Sequence, residues 1–369
     1  MGNMASTRAT VLIAAGGTGG HVFPALAVAQ GLRQQDVDVV WLGTRKGIES
    51  RVVPSNDFVI HFINVAGVRG KNLLSWIAAP LLLALAVISV IRLIVKIKPV
   101  CVLGMGGFAS AAAGFAAFLT RTPLLLQEQN SIAGTTNKLL APMASKIFTG
   151  FPGVFSQRKT TCFTGNPLRA ELYVQLPPAQ RIDVASQSLQ LLVLGGSLGA
   201  HALNQVLPRA LAQLKQSHSN IDIFTVVHQT GINDVEMVNA AYSQVGVEAK
   251  VSAFIEDMAV AYAAADLVIA RAGALTVSEI AAVGVAALLV PYPYATDNHQ
   301  SFNADWLVDA GAAVKVEQSE FTVETAVKLL QGLLADKQRL LERATHARAL
   351  ATPEATQYIV DSCREFAHG

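Results

Sequence analysis

The chain has 369 residues, of which 52% are hydrophobic and only 15% charged, and its formal net charge is +2. That is long enough for two domains of ordinary size, too apolar for disorder, and, with no long basic run, a poor match for a nucleic-acid binder. Cys101, Cys162 and Cys363 are isolated and lack metal-ligand spacing, so they read as thiols of a reducing compartment.

The first apolar run, 11–15, empties into Gly16-Gly17-Thr18-Gly19-Gly20-His21 and then a helical pattern over 23–32. Strand, glycine turn and helix start together make an anion site, because bare N–H groups and the positive end of the helix dipole point at one spot. The loop fits neither G-x-G-x-x-G nor the Gly-Lys-Ser/Thr of a P-loop, which weighs against a dehydrogenase or an NTPase. The run is also too short for a secretory signal, so the expected location is cytoplasmic. Met1-Gly2-Asn3-Met4-Ala5-Ser6 matches a myristoylation pattern by letter only, and that pattern is permissive. At the helix start the dipole favours a neutral imidazole, so His21 reads equally as a general base and as a helix-cap residue. Asp36-Val37-Asp38 spells the Asp-x-Asp of metal-dependent sugar transferases, but it leads into a strand-like run at 37–42 and reads as a solvated turn.

The segment 73–95 is almost uniformly apolar and about the length needed to cross a bilayer. Pro80 interrupts it, and Arg69, Lys71, Arg92 and Lys96 flank it. A helix lying in the lipid interface on anionic headgroups is the favoured reading, with a buried crossover helix and a spanning helix as alternatives. Strand-like runs at 101–103, 124–126 and 146–149 continue the alternation. Gly104-Met105-Gly106-Gly107 follows the first and offers further N–H donors. Gln127-Glu128-Gln129-Asn130 follows the second, at the carboxyl end where open α/β sheets bind ligands, and reads as a ring of hydrogen bonds to a sugar. Gly165-Asn166-Pro167-Leu168-Arg169 and Leu176-Pro177-Pro178 have the composition of a linker. The expected domains are 1–165 and 166–351, with a helical 352–369 that packs back on the first.

The scheme then repeats with runs at 189–194, 223–227, 250–253, 267–270 and 287–290. The first empties into Gly195-Gly196-Ser197-Leu198-Gly199-Ala200, a second anion site half a chain away. After 267–270, Gly273 opens a helix with Thr276, Ser278 and Glu279 near its start. Glu279 is placed to accept both hydroxyls of a ribose, or simply to complement the dipole. Pro291-Tyr292-Pro293-Tyr294 leads to Asp297-Asn298-His299-Gln300, amides and an imidazole suited to a hydroxyl-rich ligand. The alternation predicts an α/β chain with two parallel sheets, two nucleotide-type domains facing each other across a cleft.

In order and spacing over nearly the whole chain, the blocks at 16–21, 104–107, 128–130, 165–169, 195–200, 274–279 and 297–300 resemble the MurG family of bacterial transferases. The resemblance implies a GT-B fold of two Rossmann-like domains and an inverting transfer of N-acetylglucosamine (GlcNAc). The donor would be UDP-GlcNAc, and the acceptor the 4-hydroxyl of the muramoyl-pentapeptide on undecaprenyl pyrophosphate (lipid I), giving lipid II for peptidoglycan. Carried over by position, Thr18, Gly19, Gly20 and Asn130 would line the donor site from the first domain. Arg169, Ser197, Ile255, Ala274, Leu275, Thr276, Val277, Ser278, Glu279 and Gln300 would line it from the second, with the uracil by Ile255 and the ribose on Glu279. Gly16, Gly17, Gly104, Gly106 and Gly107 would take the acceptor's diphosphate, and His21 would be the base. Gln127 departs from the family pattern, where many members carry His.

No metal or other cofactor is implied, since helix N-termini take the diphosphate. The implied partners are UDP-GlcNAc, lipid I and an anionic membrane surface, with 68–98 docking the first domain on the cytoplasmic face of the inner membrane. Rival readings are another GT-B enzyme such as a glucosyltransferase or a UDP-GlcNAc 2-epimerase, and an integral membrane protein that binds nucleotide-sugars without catalysis.

Overall fold

The computed structural model describes residues 8–63, 73–186, 188–196, 199–217 and 224–367, with the side chains of 73–79 and 217 left aside. The chain divides into two compact units, Met1–Leu168 with Glu354–Gly369, and Arg169–Pro353.

The first unit is a parallel sheet of β1 (Thr10–Ala14), β2 (Asp38–Gly43), β3 (Val59–Phe62), β4 (Cys101–Gly104), β5 (Leu124–Glu128), β6 (Lys146–Thr149) and β7 (Thr161–Phe163). Their order is β3-β2-β1-β4-β5-β6-β7. The second unit holds β8 (Leu189–Leu194), β9 (Phe224–Gln229), β10 (Ala249–Ser252), β11 (Leu267–Ala270), β12 (Ala286–Leu289) and β13 (Ala313–Lys315). These run β10-β9-β8-β11-β12-β13, again all parallel. Helices cover both faces of such sheets, so the central strands are continuous apolar runs. Val11, Leu12, Ile13, Val102, Leu103, Val193, Val268 and Ile269 are all fully buried. The strands missed from sequence, β3, β7 and β13, are edge strands of three or four mostly half-buried residues with no such run to announce them.

In each unit the strand order reverses at one place, between β1 and β4 and between β8 and β11. Connections depart to opposite sides there, which opens a crevice at the carboxyl ends of those strands. All the glycine turns lie at these strand ends. The last helix, Ala355–Glu365, belongs to the first unit: Ile359, Val360 and Cys363 enter one core with Val28, Leu32 and Cys101. Gly31 permits the approach, because a Cβ there would stand 2.8 Å from Val360 Cγ2. Lys146 Nζ meets Glu365 Oε2 at 2.6 Å, and the Thr356 hydroxyl donates to Leu168 O at 3.3 Å.

Leu73–Ile97 is one helix, and it runs through Pro80 instead of ending there; the missing N–H costs one intrahelical bond. Ala86, Val87, Val90 and Ile94 pack into a core with Ala109, Ala112, Ala113 and Ala116 of the helix Gly107–Thr120. The small alanines let the two helices approach. Leu81, Leu85, Ile88 and Val95 instead lie 46–65% exposed, so the fully buried crossover expected as one alternative is corrected to a crossover with one face bare. Of the flanking cations, Arg69 and Lys71 lie outside the described residues.

Candidate functional site

Beyond β1, Gly16, Gly17 and Thr18 form the turn, Thr18 is the extended N-cap, and Gly19, Gly20 and His21 open the helix Gly19–Gln34. Gly17 takes φ +96°, a conformation that suits glycine. Ser110 ties the neighbouring turn to this one, since its one hydroxyl proton has both Ala14 O and Gly106 O within reach, each 2.7 Å from Oγ. Gly106 and Gly107 also take positive φ, and a Cβ on Gly107 would stand 3.0 Å from Gly16 O. The structure thus brings Gly16, Gly17, Gly106 and Gly107 together at the β1/β4 crevice, with Gly104 ending β4 beneath them. The half-buried His21 ring lies across this pair of turns: Nδ1 is 3.3 Å from Gly16 O, and a Cβ on Gly106 would meet Nε2 at 3.0 Å.

Two expectations change here. The Gly17 N–H is already taken by Glu49 Oε2 at 2.9 Å, so it is not a donor for an anion in this arrangement. Nor do Gln127, Glu128 and Gln129 form a sugar-facing ring, because all three are buried. Glu128 accepts from Asn130 N (3.1 Å), Gly134 N (2.9 Å) and Asn137 Nδ2 (2.9 Å). Gln127 donates to Asn166 Oδ1 at 2.9 Å, and Gln129 to Met105 O at 3.0 Å. A strand end curling back into the core turns its polar groups on one another, and here most of the cluster's hydrogen bonds are made that way, with Gln129 Oε1 and Asn137 Oδ1 left over among the described residues. Asn130 alone of the four is half-exposed, and Gln129 links its loop to the Met105 turn.

In the second unit, Gly195 and Gly196 follow β8 and Gly199 and Ala200 lead into the helix His201–Ser217; Ser197 lies outside the described residues. Beside this turn, Gly273 N-caps the helix Ala274–Val283, which carries Ala274, Leu275, Thr276, Val277, Ser278 and Glu279. Ala274, Val277 and Ser278 are buried while Leu275, Thr276 and Glu279 are half-buried. The Tyr262 hydroxyl donates to Glu279 Oε2 at 3.0 Å. Burial raises the Glu279 carboxyl above its ordinary value, and the nearby Arg169 guanidinium and the Tyr262 hydrogen bond oppose that rise. Arg169, Tyr262 and Glu279 therefore form one group.

Gln229 at the end of β9 joins two further positions, its O accepting from Gly195 N at 2.9 Å and its Oε1 from Ile255 N at 3.3 Å. Gln300 accepts the Tyr292 N–H on Oε1 at 2.9 Å, so its NH₂ is the end left to serve a ligand. His299 Nδ1 donates to Thr296 O at 2.7 Å. Sequence reasoning missed Glu49, Gln229 and Tyr262. Each comes from an element remote in sequence from the turn or carboxylate that it holds, and no local motif marks it. Among the described residues no three His, Cys, Asp or Glu side chains are grouped to hold a metal ion.

The glycosyltransferase family 28 N-terminal domain profile matches residues 11–149, and the C-terminal domain profile of the same family matches 190–359. A protein of Coxiella burnetii (strain RSA 331 / Henzerling II) is 47% identical over 356 residues, 96% of this chain and 98% of its own. It is named UDP-N-acetylglucosamine--N-acetylmuramyl-(pentapeptide) pyrophosphoryl-undecaprenol N-acetylglucosamine transferase. A protein of the same name from Stutzerimonas stutzeri (strain A1501) is 47% identical, covering 98% of this chain and 99% of its own. The crystal structure of Acinetobacter baumannii MurG matches with a TM-score of 0.81 at 39% identity, over 97% of this chain and 99% of that one. UDP-GlcNAc 2-epimerase from Neisseria meningitidis, solved with UDP-GlcNAc bound, matches at 0.64 but is only 13% identical over 97% of this chain and 100% of that one, a likeness of fold alone.

Proposed function

The chain belongs to glycosyltransferase family 28, and on that premise we propose that it transfers GlcNAc from UDP-GlcNAc to the 4-hydroxyl of lipid I, forming lipid II with inversion at C1. The observation that carries this reading is the strand–glycine–helix turns found in each unit, in a chain 47% identical over 96% of its length to a transferase named for a UDP-sugar and a pyrophosphoryl lipid. Two diphosphates call for two anion sites.

The second unit is the donor side. Ile255 lies against the uracil, Glu279 accepts the ribose hydroxyls, and the turns at 195–200 and 273–274 with Arg169 meet the diphosphate; Ser197 and Gln300 complete its share. In the first unit, Thr18, Gly19, Gly20 and Asn130 are the sugar-binding positions that the family likeness points to. Fixed N–H donors stabilise the charge that builds on the departing UDP, so no metal or other cofactor is required. The first unit is the acceptor side, where Gly16, Gly104, Gly106 and Gly107 face the lipid diphosphate and His21 takes the hydroxyl proton. The bare apolar face that Leu81, Leu85, Ile88 and Val95 form, with Arg92 and Lys96, lies in the headgroup region on the cytoplasmic side of the inner membrane, so the enzyme is peripheral.

Purified protein given UDP-GlcNAc and a lipid I analogue should release UDP only when the acceptor is present. Release without acceptor, or isomerisation of the sugar, would reject the assignment in favour of another enzyme of this fold. High salt or alkaline carbonate should strip the protein from membranes, whereas retention would mark a spanning helix.

A further inference from the structure

In the first unit a carboxylate, a peptide group and an imidazole are hydrogen bonded in a row. Glu49 is buried, 0% exposed, and forms no ion pair among the described residues. Its Oε1 accepts the Thr44 N–H at 2.9 Å and the Thr44 hydroxyl at 2.7 Å, and its Oε2 accepts the Gly17 N–H at 2.9 Å. Gly16, Gly43 and Gly47 surround the carboxylate so closely that a Cβ on any of them would collide with Glu49. The carbonyl of the peptide group that ends in the Gly17 N–H is Gly16 O, the partner of His21 Nδ1 at 3.3 Å. A carbonyl oxygen only accepts, so in this arrangement Nδ1 carries the proton and Nε2 carries the lone pair.

A hydroxyl or an amide would be enough to pin a loop. Burying a carboxylate without a cation is the costlier choice, which points to a use for the charge itself. We infer that Glu49 is the positioning residue for His21, acting through the Gly16–Gly17 peptide, and that it fixes the Nδ1–H tautomer which leaves Nε2 as the base. Hydrogen bonds in series polarise one another, so the carboxylate makes Gly16 O a stronger acceptor and favours positive charge on the ring.

The inference rests on His21 being the base. In the step itself the acceptor oxygen bonds to C1 as the C1–O bond to UDP breaks. The electron pair leaves on the diphosphate, the hydroxyl proton moves to Nε2, and Nδ1–H stays on Gly16 O throughout.

The test uses the full-length protein labelled with ¹⁵N-histidine, the His21 signals being assigned by their loss in His21→Ala. Wild type should show neutral His21 protonated on Nδ1. Glu49→Gln, nearly isosteric, should mix the tautomers and lower kcat about tenfold with donor and acceptor KM within about twofold, a split that a merely structural loop anchor would not produce. An Nε2–H tautomer in wild type, or Glu49→Gln turning over at the wild-type rate while His21→Ala does not, overturns the inference and leaves the base assignment standing. Full turnover by His21→Ala instead removes the base reading. Should Glu49→Gln fail to fold, an Nε2–H tautomer in the wild type would still overturn the inference.

Discussion

Each unit has a glycine turn after a central strand, and the turns at 16–21 and 195–200 differ in what stands behind them. Behind the turn at 16–21 is a buried carboxylate, Glu49, with an imidazole across the front. Behind the turn at 195–200 the nearest supports are neutral: Gln229, and a buried chain in which His228 sits between Tyr242 Oη at 3.1 Å and Asn204 Oδ1 at 3.0 Å. Burial brings His228 down to about 3, so this chain carries no charge on the ring near neutrality. Asn204 Nδ2 continues it to Asp234 Oδ2 at 2.7 Å. The turn of one unit thus has a buried carboxylate hydrogen bonded directly to its backbone, whereas the turn of the other has neutral groups beside it and its carboxylate, Asp234, only at the far end of the chain, a contrast that fits the roles proposed above for the two units.

The sharpest way to break this contrast is to remove its reactive end. His21→Ala should lower kcat on the order of 100-fold or more and leave the donor KM within about threefold, measured by UDP release. Glu279→Ala should do the opposite, raising the donor KM by roughly 10- to 100-fold with a smaller change in kcat, the usual value of hydrogen bonds to a charged group. If both variants fail in kcat, the division of labour is wrong. The pH dependence adds a sign. On the proposed role of Glu279 the ribose hydroxyls need its ionised carboxylate, and burial raises that carboxyl, so donor affinity should begin to fall on acidification at a pH above the ordinary glutamate range. Donor KM in Glu279→Gln should be flat over that interval.

His228 probes the buried chain of the second unit. Its value is about 3 in the folded chain against 6.5 unfolded, so the unfolded state binds the proton more readily as pH falls. The stability it supports is present above 6.5 and is lost on going down from there toward 3. Between pH 7 and 5 that is about 2 kcal/mol. Urea unfolding of the second unit followed across this range should show the loss in wild type and much less of it in His228→Gln.

How much of this could be read from sequence depended on where each interaction partner lay. The strands β1, β4, β8 and β11 announce themselves because burial on both faces demands continuous apolar runs, and the glycines mark turns because positive φ demands them at 17, 106, 107, 196 and 199. The edge strand β13, Ala-Val-Lys, carries no such demand. Gln127, Glu128 and Gln129 were misplaced because a polar run after a strand looks the same whether it faces a ligand or turns inward to meet Asn137 and Asn166. Glu49 is locally an ordinary first-turn acid, 32 residues from the Gly17 N–H that it accepts. Tyr262 stands 17 residues from Glu279. Pairings of that kind belong to the topology and to no window of sequence.

The smallest effect separates glycines needed for the backbone from glycines needed for the imidazole. Gly17 and Gly106 take nearly the same φ, +96° and +92°, so alanine at either should cost about 1 kcal/mol or slightly more in backbone strain. Around Gly17 a Cβ meets nothing within 4 Å, whereas at Gly106 it would press on His21 Nε2 at 3.0 Å. Chemical denaturation should therefore find Gly17→Ala and Gly106→Ala similarly destabilised. Only Gly106→Ala should also lose kcat, because only there does the added methyl push the ring away from Gly16 O. Equal loss of kcat in both variants would mean that the turn's backbone, and not the seating of His21 against it, limits the reaction.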